Sequence, residues 1–435
     1  MPELKKELSL YGLVMIAIGA SVGAGIFRTP GEIAGYMQTP TLTIAVWVLG
    51  GIITLAGALT FAELGGLFPK AGGIYVYLKE AYGTRVAFLY GWTMLVVTNT
   101  GSLAALALTF ADYFTYLFPN IGYNGRGFVA VAAIVIVTTY NIFGVKIGEY
   151  FSNIFTGLKI LGILALILTG LYIALYDSAQ LIDVPKQVPE DLSGAFALAL
   201  VGVLFSYGGW QHTSFLSGEA KNASYSIPRA MLLGAASVTL IYVLANIAYL
   251  YLMPIDELAK SKAVASEAMQ RLFPWGGKFI AIVIVISVFG TMGIYTLSVP
   301  RVFFAMAKDK LFFKGLATLH PIYKTPVNAI ILQSFWAICL IFLWGKFENL
   351  IKYVVFVDWI FFFLAALSIF IFREKLKDVE RPYKAWGYPF VPAIFCLIVA
   401  WFVVSLLLKE PVQAWAGLGL LAAGVPLYIY FRKTQ

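Results

Sequence analysis

The first long apolar segment of the chain contains the stretch Gly19-Ala20-Ser21-Val22-Gly23-Ala24-Gly25, and the sixth contains Ser206-Tyr207-Gly208-Gly209-Trp210. Glycine inside a helix costs about 1 kcal/mol relative to alanine, so each cluster marks a point where a helix can break. The alternative is that these glycines only let helices pack closely, and the spacing of Gly19 and Gly23 fits small-residue packing. Their joint placement in two apolar segments favours broken helices.

The bulk composition places the apolar segments in a membrane. Of the 435 residues, 60% are hydrophobic and 12% are charged, and the mean hydropathy is +0.85. Ordinary soluble domains are about 45–50% apolar and about 25% charged, so a soluble fold could not bury this excess. The net charge of +9 does not indicate a nucleic-acid partner, because Lys and Arg collect in the cytoplasmic loops of membrane proteins.

Twelve membrane-spanning helices are predicted, so the fold class is an all-α membrane protein. A hydrocarbon core about 30 Å thick requires roughly 20 apolar residues in a helix. Segments of this kind lie near residues 10–36, 41–68, 86–117, 127–144, 150–176, 192–217, 229–253, 276–307, 327–345, 350–372, 389–408 and 413–431.

The distribution of basic residues predicts that both termini are cytoplasmic. With the N-terminus inside, 19 Lys and Arg residues fall in cytoplasmic segments and 9 fall in the opposite segments. This excess follows the positive-inside rule for membrane proteins. We therefore expect a multi-pass protein of the cell membrane.

Residues that would indicate an enzyme or a metal site are scarce. The two cysteines, Cys339 and Cys396, lie inside apolar runs, and His212 and His320 are the only histidines. Neither a disulfide framework nor a metal site is predicted from these residues, and no cofactor is expected. Two separate histidines also do not supply the nucleophile and base that an intramembrane enzyme would need.

The two glycine clusters lie in predicted helices 1 and 6, five helices apart. Because the chain crosses the membrane an odd number of times between them, helices 6–10 would have the opposite membrane orientation to helices 1–5. Discontinuous helices at matching positions in two halves are typical of transporters built from inverted repeats. The expected organisation is a first repeat over residues 1–176, a second over 192–372, and two additional helices with the C-terminus over 389–435.

The broken helices also predict the kind of cargo. A break exposes free N–H groups where one half-helix begins and free carbonyl groups where the other half ends. These groups complement a carboxylate and an ammonium, respectively. A free amino acid carries both charges, so it is the expected substrate.

Several motifs resemble those of the amino acid–polyamine–organocation (APC) superfamily. The first helix reads Gly23-Ala24-Gly25-Ile26-Phe27, followed by Thr29-Pro30-Gly31. The sixth reads Phe205-Ser206-Tyr207-Gly208-Gly209-Trp210, followed by Gly218-Glu219, and is similar to the L-type amino acid transporter (LAT) branch. The resemblance implies a LeuT-like fold of five plus five helices, with helices 1 and 6 discontinuous and two helices added at the C-terminus.

The resemblance also implies where the substrate binds. The N–H groups of Ala24 and Gly25 would hold its carboxylate, and Ala24 stands where the family usually has serine. The carbonyls of Ser21, Phe205 and Gly208 would hold its ammonium, and the Phe205 ring would close the site as a gate. The implied substrate-binding set is Ser21, Val22, Gly23, Ala24, Gly25, Phe205, Ser206 and Gly208.

Lys159 is the clearest charged residue inside a predicted span. A charge at the bilayer centre costs about 2.5–3.5 kcal/mol on insertion scales and therefore indicates a function. The LAT branch is similar in placing a fifth-helix lysine where sodium-driven relatives bind a cation, which implies that the ammonium replaces sodium. The alternatives are that Lys159 extends to the cytoplasmic interface or that it carries a proton.

Asp358 is the second charged residue inside a span, and it precedes Trp359, where LAT sequences often have asparagine before the tryptophan. It either lines the side-chain pocket together with Trp359 and Gln211, favouring polar or cationic substrates, or it pairs with a basic residue.

Arg28 in the first helix either pairs with Glu32 one turn later or contributes to the outer gate.

Together these expectations describe a sodium-independent exchanger of small neutral L-amino acids that works by alternating access. A proton-coupled symporter on the same fold is the alternative, and an amino acid receptor or an intramembrane enzyme is a remote one. Metazoan LAT proteins join a heavy chain through a cysteine in the loop after helix 3, and residues 112–127 contain no cysteine. We therefore expect a prokaryotic carrier that acts in the bilayer as a monomer, without a heavy chain.

Overall fold

The computed structural model describes residues 4–176, 188–261, 263–344 and 347–434. Within these ranges the secondary structure is helical, and strand-like pairing is limited to one isolated bridge between Leu8 and Ala220. The predicted all-α fold class is confirmed for this part of the chain.

The helices of the first half are α1 (Leu10–Ser21), α2 (Gly25–Met37), α3 (Pro40–Leu67), α4 (Ile74–Tyr82), α5 (Thr84–Thr93), α6 (Asn99–Leu117), α7 (Arg126–Ile142) and α8 (Val145–Tyr176). The second half contains α9 (Leu192–Tyr207), α10 (His212–Phe215), α11 (Ala223–Leu252), α12 (Ile255–Leu258), α13 (Val264–Gln270), α14 (Gly276–Ser298), α15 (Pro300–Lys308), α16 (Val327–Trp344), α17 (Phe347–Lys375), α18 (Phe390–Lys409) and α19 (Pro411–Thr434).

The helices agree closely with the predicted spans. In the described ranges, eight stretches of helix are long and apolar enough to cross a membrane, and the bent pair α1–α2 makes a ninth. Three shorter apolar helices, α7, α9 and α16, coincide with the predicted spans near residues 127–144, 192–217 and 327–345. The total of twelve spans and the inverted repeat stay predictions.

The first predicted break is present. Helix α1 ends at Ser21 and α2 begins at Gly25, and the two helices meet at an angle of 42°. Val22 has φ −77° and ψ 78°, which lies outside the helical region. The Gly23 N–H donates to the Ser21 carbonyl at 2.8 Å, so the chain turns tightly instead of continuing the helix.

The second break lies at the predicted glycine pair. Helix α9 ends at Tyr207 and α10 begins at His212. Gly208 is extended, and Gly209 has φ +133°, a backbone conformation that residues with a side chain rarely adopt. The glycine at this position therefore allows the chain to leave one half-helix and enter the other.

Both breaks are enclosed by protein. Helix α1 packs against α8, α11 and α14, while α9 packs against α2, α3 and α17. All residues from Gly19 to Phe27 are buried. The unwound backbone is therefore shielded from lipid, as non-helical backbone at membrane depth must be.

Short elements between and within the spans are additional to the predicted ones. Helix α4 follows α3, and α12 and α13 lie between α11 and α14. The third predicted span contains a π-helical turn over Met94–Thr98. Turns of this kind occur often at functional sites, and this one lies one helical turn before Ser102, which lines the central cavity described below.

Candidate functional site

The start of α2 offers two free backbone donors. The N–H groups of Ala24 and Gly25 form no hydrogen bond with an acceptor among the described residues. A helix N-terminus carries a partial positive charge, and its first N–H groups have no partner within the helix. The two predicted carboxylate-binding groups are thus buried donors without a recorded partner, and their role in carboxylate binding stays a prediction.

The carbonyls at the end of α9 differ in their availability. The Phe205 carbonyl accepts a bond from the Gly208 N–H at 3.2 Å, whereas the Gly208 carbonyl has no donor among the described residues. The Gly209 N–H donates to the side-chain oxygen of Gln211 at 2.8 Å, which holds the second break in its extended form. Of the predicted ammonium acceptors, Gly208 is the one without a competing bond.

The two breaks lie directly against each other. A Cβ atom on Gly209 would lie 2.4 Å from the Ser21 backbone nitrogen, and one on Gly25 would lie 2.4 Å from the Ser206 hydroxyl oxygen. Contacts this short exclude any side chain at either glycine without a shift of the backbone. The two breaks therefore pack against each other at these two points, and a shared substrate site between them stays a prediction.

Tyr242 of α11 connects the two breaks, and the sequence analysis missed it. Its hydroxyl lies 2.7 Å from the Ser21 carbonyl and 3.1 Å from the Ser206 carbonyl, and both act as acceptors. A phenol has one proton, so the two carbonyls share it. Nothing in the sequence distinguishes this tyrosine from the many other aromatic residues of the spans, because its role depends on contacts between distant helices.

Lys159 of α8 is completely buried, and its ammonium contacts the first break. The Nζ atom donates to the Gly19 and Val22 carbonyls at 2.9 and 2.8 Å. Its third donor is directed to the Thr291 hydroxyl of α14 at 2.8 Å, so all three N–H bonds are used. The alternative that Lys159 extends to the membrane interface is wrong. Its role as a sodium substitute stays a prediction.

Two hydroxyl groups complete the surroundings of this ammonium. Thr291 lies 2.8 Å from the Gly19 carbonyl oxygen, and the Ser287 hydroxyl donates to the Val22 carbonyl at 3.0 Å. The ammonium is therefore surrounded by three oxygen atoms, from Gly19, Val22 and Thr291, and none of them belongs to a carboxylate. Sequence reasoning identified the lysine but neither hydroxyl residue.

A cavity of about 30 Å³ lies beside the second break. Phe205 and Gly208 form one side of it, and Gln211, Asp358 and Trp359 contribute to its wall. A volume of this size holds about one water molecule and no amino acid. The structure places the three residues predicted for the side-chain pocket together at this cavity.

Ionic contacts join the helices away from this cavity. Arg301 of α15 donates two bonds of 2.7 Å to Glu219, and both side chains are buried. Glu63 of α3 accepts bonds from Arg373 at 2.7 Å and from Arg381 at 3.1 Å. These two acidic residues therefore form ion pairs between separate elements.

The remaining predicted polar residues lie outside the central cavity. Arg28 is within 3.5 Å of the Thr109 hydroxyl and 4.0 Å of the Asp112 carboxylate, both on α6. His212 is buried and hydrogen bonds through Nδ1 to the Ser298 hydroxyl at 2.7 Å. Within the described residues, no group of three or more His, Cys, Asp or Glu side chains is arranged to hold a metal ion.

Comparison with known proteins assigns the chain to a family. The amino acid permease family matches residues 8–423. The serine/threonine exchanger SteT of Bacillus subtilis (strain 168) is 33% identical over 99% of this chain and 98% of its own length. The b(0,+)-type amino acid transporter 1 of Mus musculus is 30% identical over 95% of this chain and 84% of its own.

A further relative, the large neutral amino acids transporter small subunit 2 of Homo sapiens, is 31% identical over 98% of this chain and 80% of its own length. These matches confirm the resemblance to the APC superfamily and its LAT branch that the motifs indicated. They also identify a multi-pass membrane transporter rather than an enzyme. The chain therefore belongs to the amino acid permease family and is an amino acid transporter.

Proposed function

We propose that this transporter is a sodium-independent exchanger of small neutral L-amino acids that works by alternating access. The observation that carries the proposal is the buried Lys159 ammonium, which occupies an oxygen-lined position between α1 and α14. A cation that is part of the chain needs no sodium ion from solution. The similarity to a serine/threonine exchanger supports both the exchange mode and the size of the substrate.

The substrate would bind between the two breaks. Its carboxylate would accept bonds from the Ala24 and Gly25 N–H groups, which are free of other acceptors in the described chain. Its ammonium would donate to the Gly208 carbonyl, and to the Ser21 and Phe205 carbonyls through their second lone pairs. Phe205, which is half-buried beside the cavity, would cover the bound substrate as a gate.

The proposed architecture is the LeuT-like arrangement with twelve spans. Adding the three shorter apolar helices to the nine longer ones supports this count. Residues 1–176 and 192–372 would form the two inverted repeats, and residues 389–435 the added helices. The excess of basic residues in alternate loops supports cytoplasmic termini.

The partners proposed are free amino acids and the lipid bilayer. Both cysteines lie within helices, Cys339 in α16 and Cys396 in α18, and the loop between α6 and α7 has none in its sequence. A disulfide to a heavy chain at that loop is therefore not available. We propose that the chain acts as a monomer without such a subunit.

Exchange can be tested with the purified protein in proteoliposomes. We expect labelled serine to enter rapidly only when the vesicles contain unlabelled serine, threonine or alanine, because exchange requires an internal substrate. Replacing external sodium by potassium should leave the rate unchanged. Equal uptake into empty vesicles would contradict exchange, and a loss of uptake without sodium would contradict the role proposed for Lys159. Protein-free vesicles provide the background.

Proton-coupled symport is the second candidate, and one observation favours it. All three hydrogen-bond partners of the buried Lys159 ammonium are uncharged. A lysine in such surroundings can release its proton without breaking an ion pair. In the same vesicles, a symporter would take up serine into empty lumens when the outside is made acidic, whereas an exchanger would not.

Asp358 is expected to shape substrate preference. Among the described side chains, no Lys or Arg forms an ion pair with it, and its carboxylate lies at the cavity wall. Asparagine replaces one of the two carboxyl oxygens by an NH₂ donor, so it offers fewer acceptors to a substrate hydroxyl. Asp358→Asn should therefore lower the preference for serine over alanine about fivefold, the equivalent of about 1 kcal/mol.

The measurement is a competition series of serine, threonine, alanine and valine against labelled serine. Asp378→Asn provides the matched control, because Asp378 is exposed and outside the cavity. An unchanged series in Asp358→Asn would assign this carboxylate to structure rather than to substrate selection.

A further inference from the structure

A second cavity, of about 360 Å³, lies at the end of the bundle that carries the N-terminal segment. Its size falls within the range of small-molecule sites in proteins. It shares no lining residue with the cavity beside the second break. The two cavities are therefore separate in this structure.

The charges around this cavity are mainly positive. Its lining includes four lysines and two acidic residues, namely Lys6, Lys70, Lys79, Lys308, Glu80 and Asp309. Lys79 pairs with Asp309 at 2.7 Å, and Lys70 lies 3.9 Å from Glu80. Both acidic groups are thus engaged. Lys308 lies over the Phe304 ring, 5.6 Å from its centroid. Neither Lys6 nor Lys308 forms an ion pair with a carboxylate of the described residues, so both positive charges lack a paired acid in this part of the chain.

The remaining wall is apolar and comes from separate elements. Leu4 belongs to the N-terminal segment, Val76 to α4 and Phe304 to α15. The N-terminal segment is held in place, because the Leu8 N–H donates to the Glu219 carbonyl and the Leu8 carbonyl accepts from Lys221, both at 2.9 Å. A ligand in this cavity would therefore bridge elements that are already in contact.

We propose that this cavity binds a phosphate monoester, with Lys6 and Lys308 compensating its charge. Such a group carries close to two negative charges at neutral pH, which matches the charge of these two ammonium groups. Lysine is a common phosphate ligand, acting as a point charge. The phosphate comes either from a lipid headgroup, with its chains along the apolar wall, or from a soluble compound.

Binding is measured as thermal stabilisation of the full-length protein, because a ligand that binds only the folded state raises the unfolding temperature. In lipid-free detergent, inorganic phosphate is titrated against chloride at equal ionic strength. In nanodiscs, phosphatidic acid is compared with neutral phosphatidylcholine. Saturable stabilisation in the first arm assigns a soluble ligand, and stabilisation in the second arm alone assigns a lipid headgroup.

The decisive comparison uses two variants of equal net charge. Lys6→Gln/Lys308→Gln should weaken the apparent affinity about tenfold or more, because each basic residue near a phosphate contributes substantially to binding. Lys5→Gln/Lys314→Gln changes exposed lysines of neighbouring segments outside the cavity and should bind as the wild type does. The proposal is overturned if the two variants behave alike, or if neither arm shows saturable stabilisation.

Discussion

Replacing Lys159 by alanine is expected to reduce amino acid exchange by at least about tenfold while the protein stays folded. The ammonium supplies donors to the Gly19 and Val22 carbonyls inside the protein. Each carbonyl keeps a hydroxyl donor, from Thr291 or Ser287, but loses a hydrogen bond to a charged group. Such a bond contributes about 1.5–3 kcal/mol, and 1.4 kcal/mol corresponds to a factor of ten. The first break would lose its connection to α8, so its geometry would no longer be maintained.

The rate of serine exchange in proteoliposomes measures the effect, with thermal unfolding as the check on folding. Lys146→Ala is the matched control, because Lys146 lies on the same helix and is exposed. We expect that control to retain the wild-type rate. Full exchange by Lys159→Ala would defeat the proposed role of the ammonium.

The same variant distinguishes a sodium substitute from an ordinary structural lysine. Removing the side chain leaves the carbonyl oxygens of Gly19 and Val22 together with the hydroxyls of Ser287 and Thr291. Carbonyl oxygens of unwound helices coordinate sodium in transporters of this kind. High sodium should therefore restore part of the exchange in Lys159→Ala and leave the wild type unaffected. A variant that sodium does not rescue would indicate a purely structural lysine.

The elements that could be predicted from the sequence are those whose structure depends on a short, continuous stretch of residues. Apolar runs of sufficient length predicted the spans, because the thickness of the bilayer sets that length. The glycine clusters predicted both breaks, because neighbouring glycines weaken a helix at their own position. Gly209 at φ +133° needs no partner to explain why a glycine is required there.

The parts that escaped prediction depend on contacts between residues far apart in the chain. Tyr242 bonds to Ser21 across 221 positions, and Thr291 contributes to the ammonium site across 132 positions from Lys159. Neither residue type is unusual in a span. Their roles follow from which helices pack together, which hydropathy and residue spacing do not determine.

Lys159 and Asp358 could be identified from the sequence as functional candidates, but their roles could not. Each could be selected as functional from its charge alone, because a charged side chain within a span is costly. The sequence did not separate the alternatives for either residue. The three hydrogen bonds of the Lys159 ammonium exclude its extension to the interface, while the Asp358 carboxylate still requires the competition experiment.

Replacing Gly209 by alanine should cause the second large loss of exchange, because it affects the contact between the two breaks. Its φ of +133° is unfavourable for any residue with a Cβ atom, and the added methyl group would lie 2.4 Å from the Ser21 nitrogen. Both the backbone and the packing oppose the substitution. We expect exchange to fall at least about tenfold, with a lower unfolding temperature, since such overlap costs about 1–3 kcal/mol.

Two further glycines make this test quantitative. Gly208→Ala should have a milder effect, because Gly208 has φ −60° and the nearest atom to an added Cβ is the Phe205 carbonyl oxygen at 3.3 Å. Gly419→Ala in α19 meets no atom within 4 Å and should leave exchange unchanged. Exchange rates that decrease from Gly419→Ala through Gly208→Ala to Gly209→Ala would show that activity depends on the close packing of the two breaks. Wild-type exchange by a folded Gly209→Ala variant would mean that this contact has no part in substrate binding, and the site would then have to lie elsewhere.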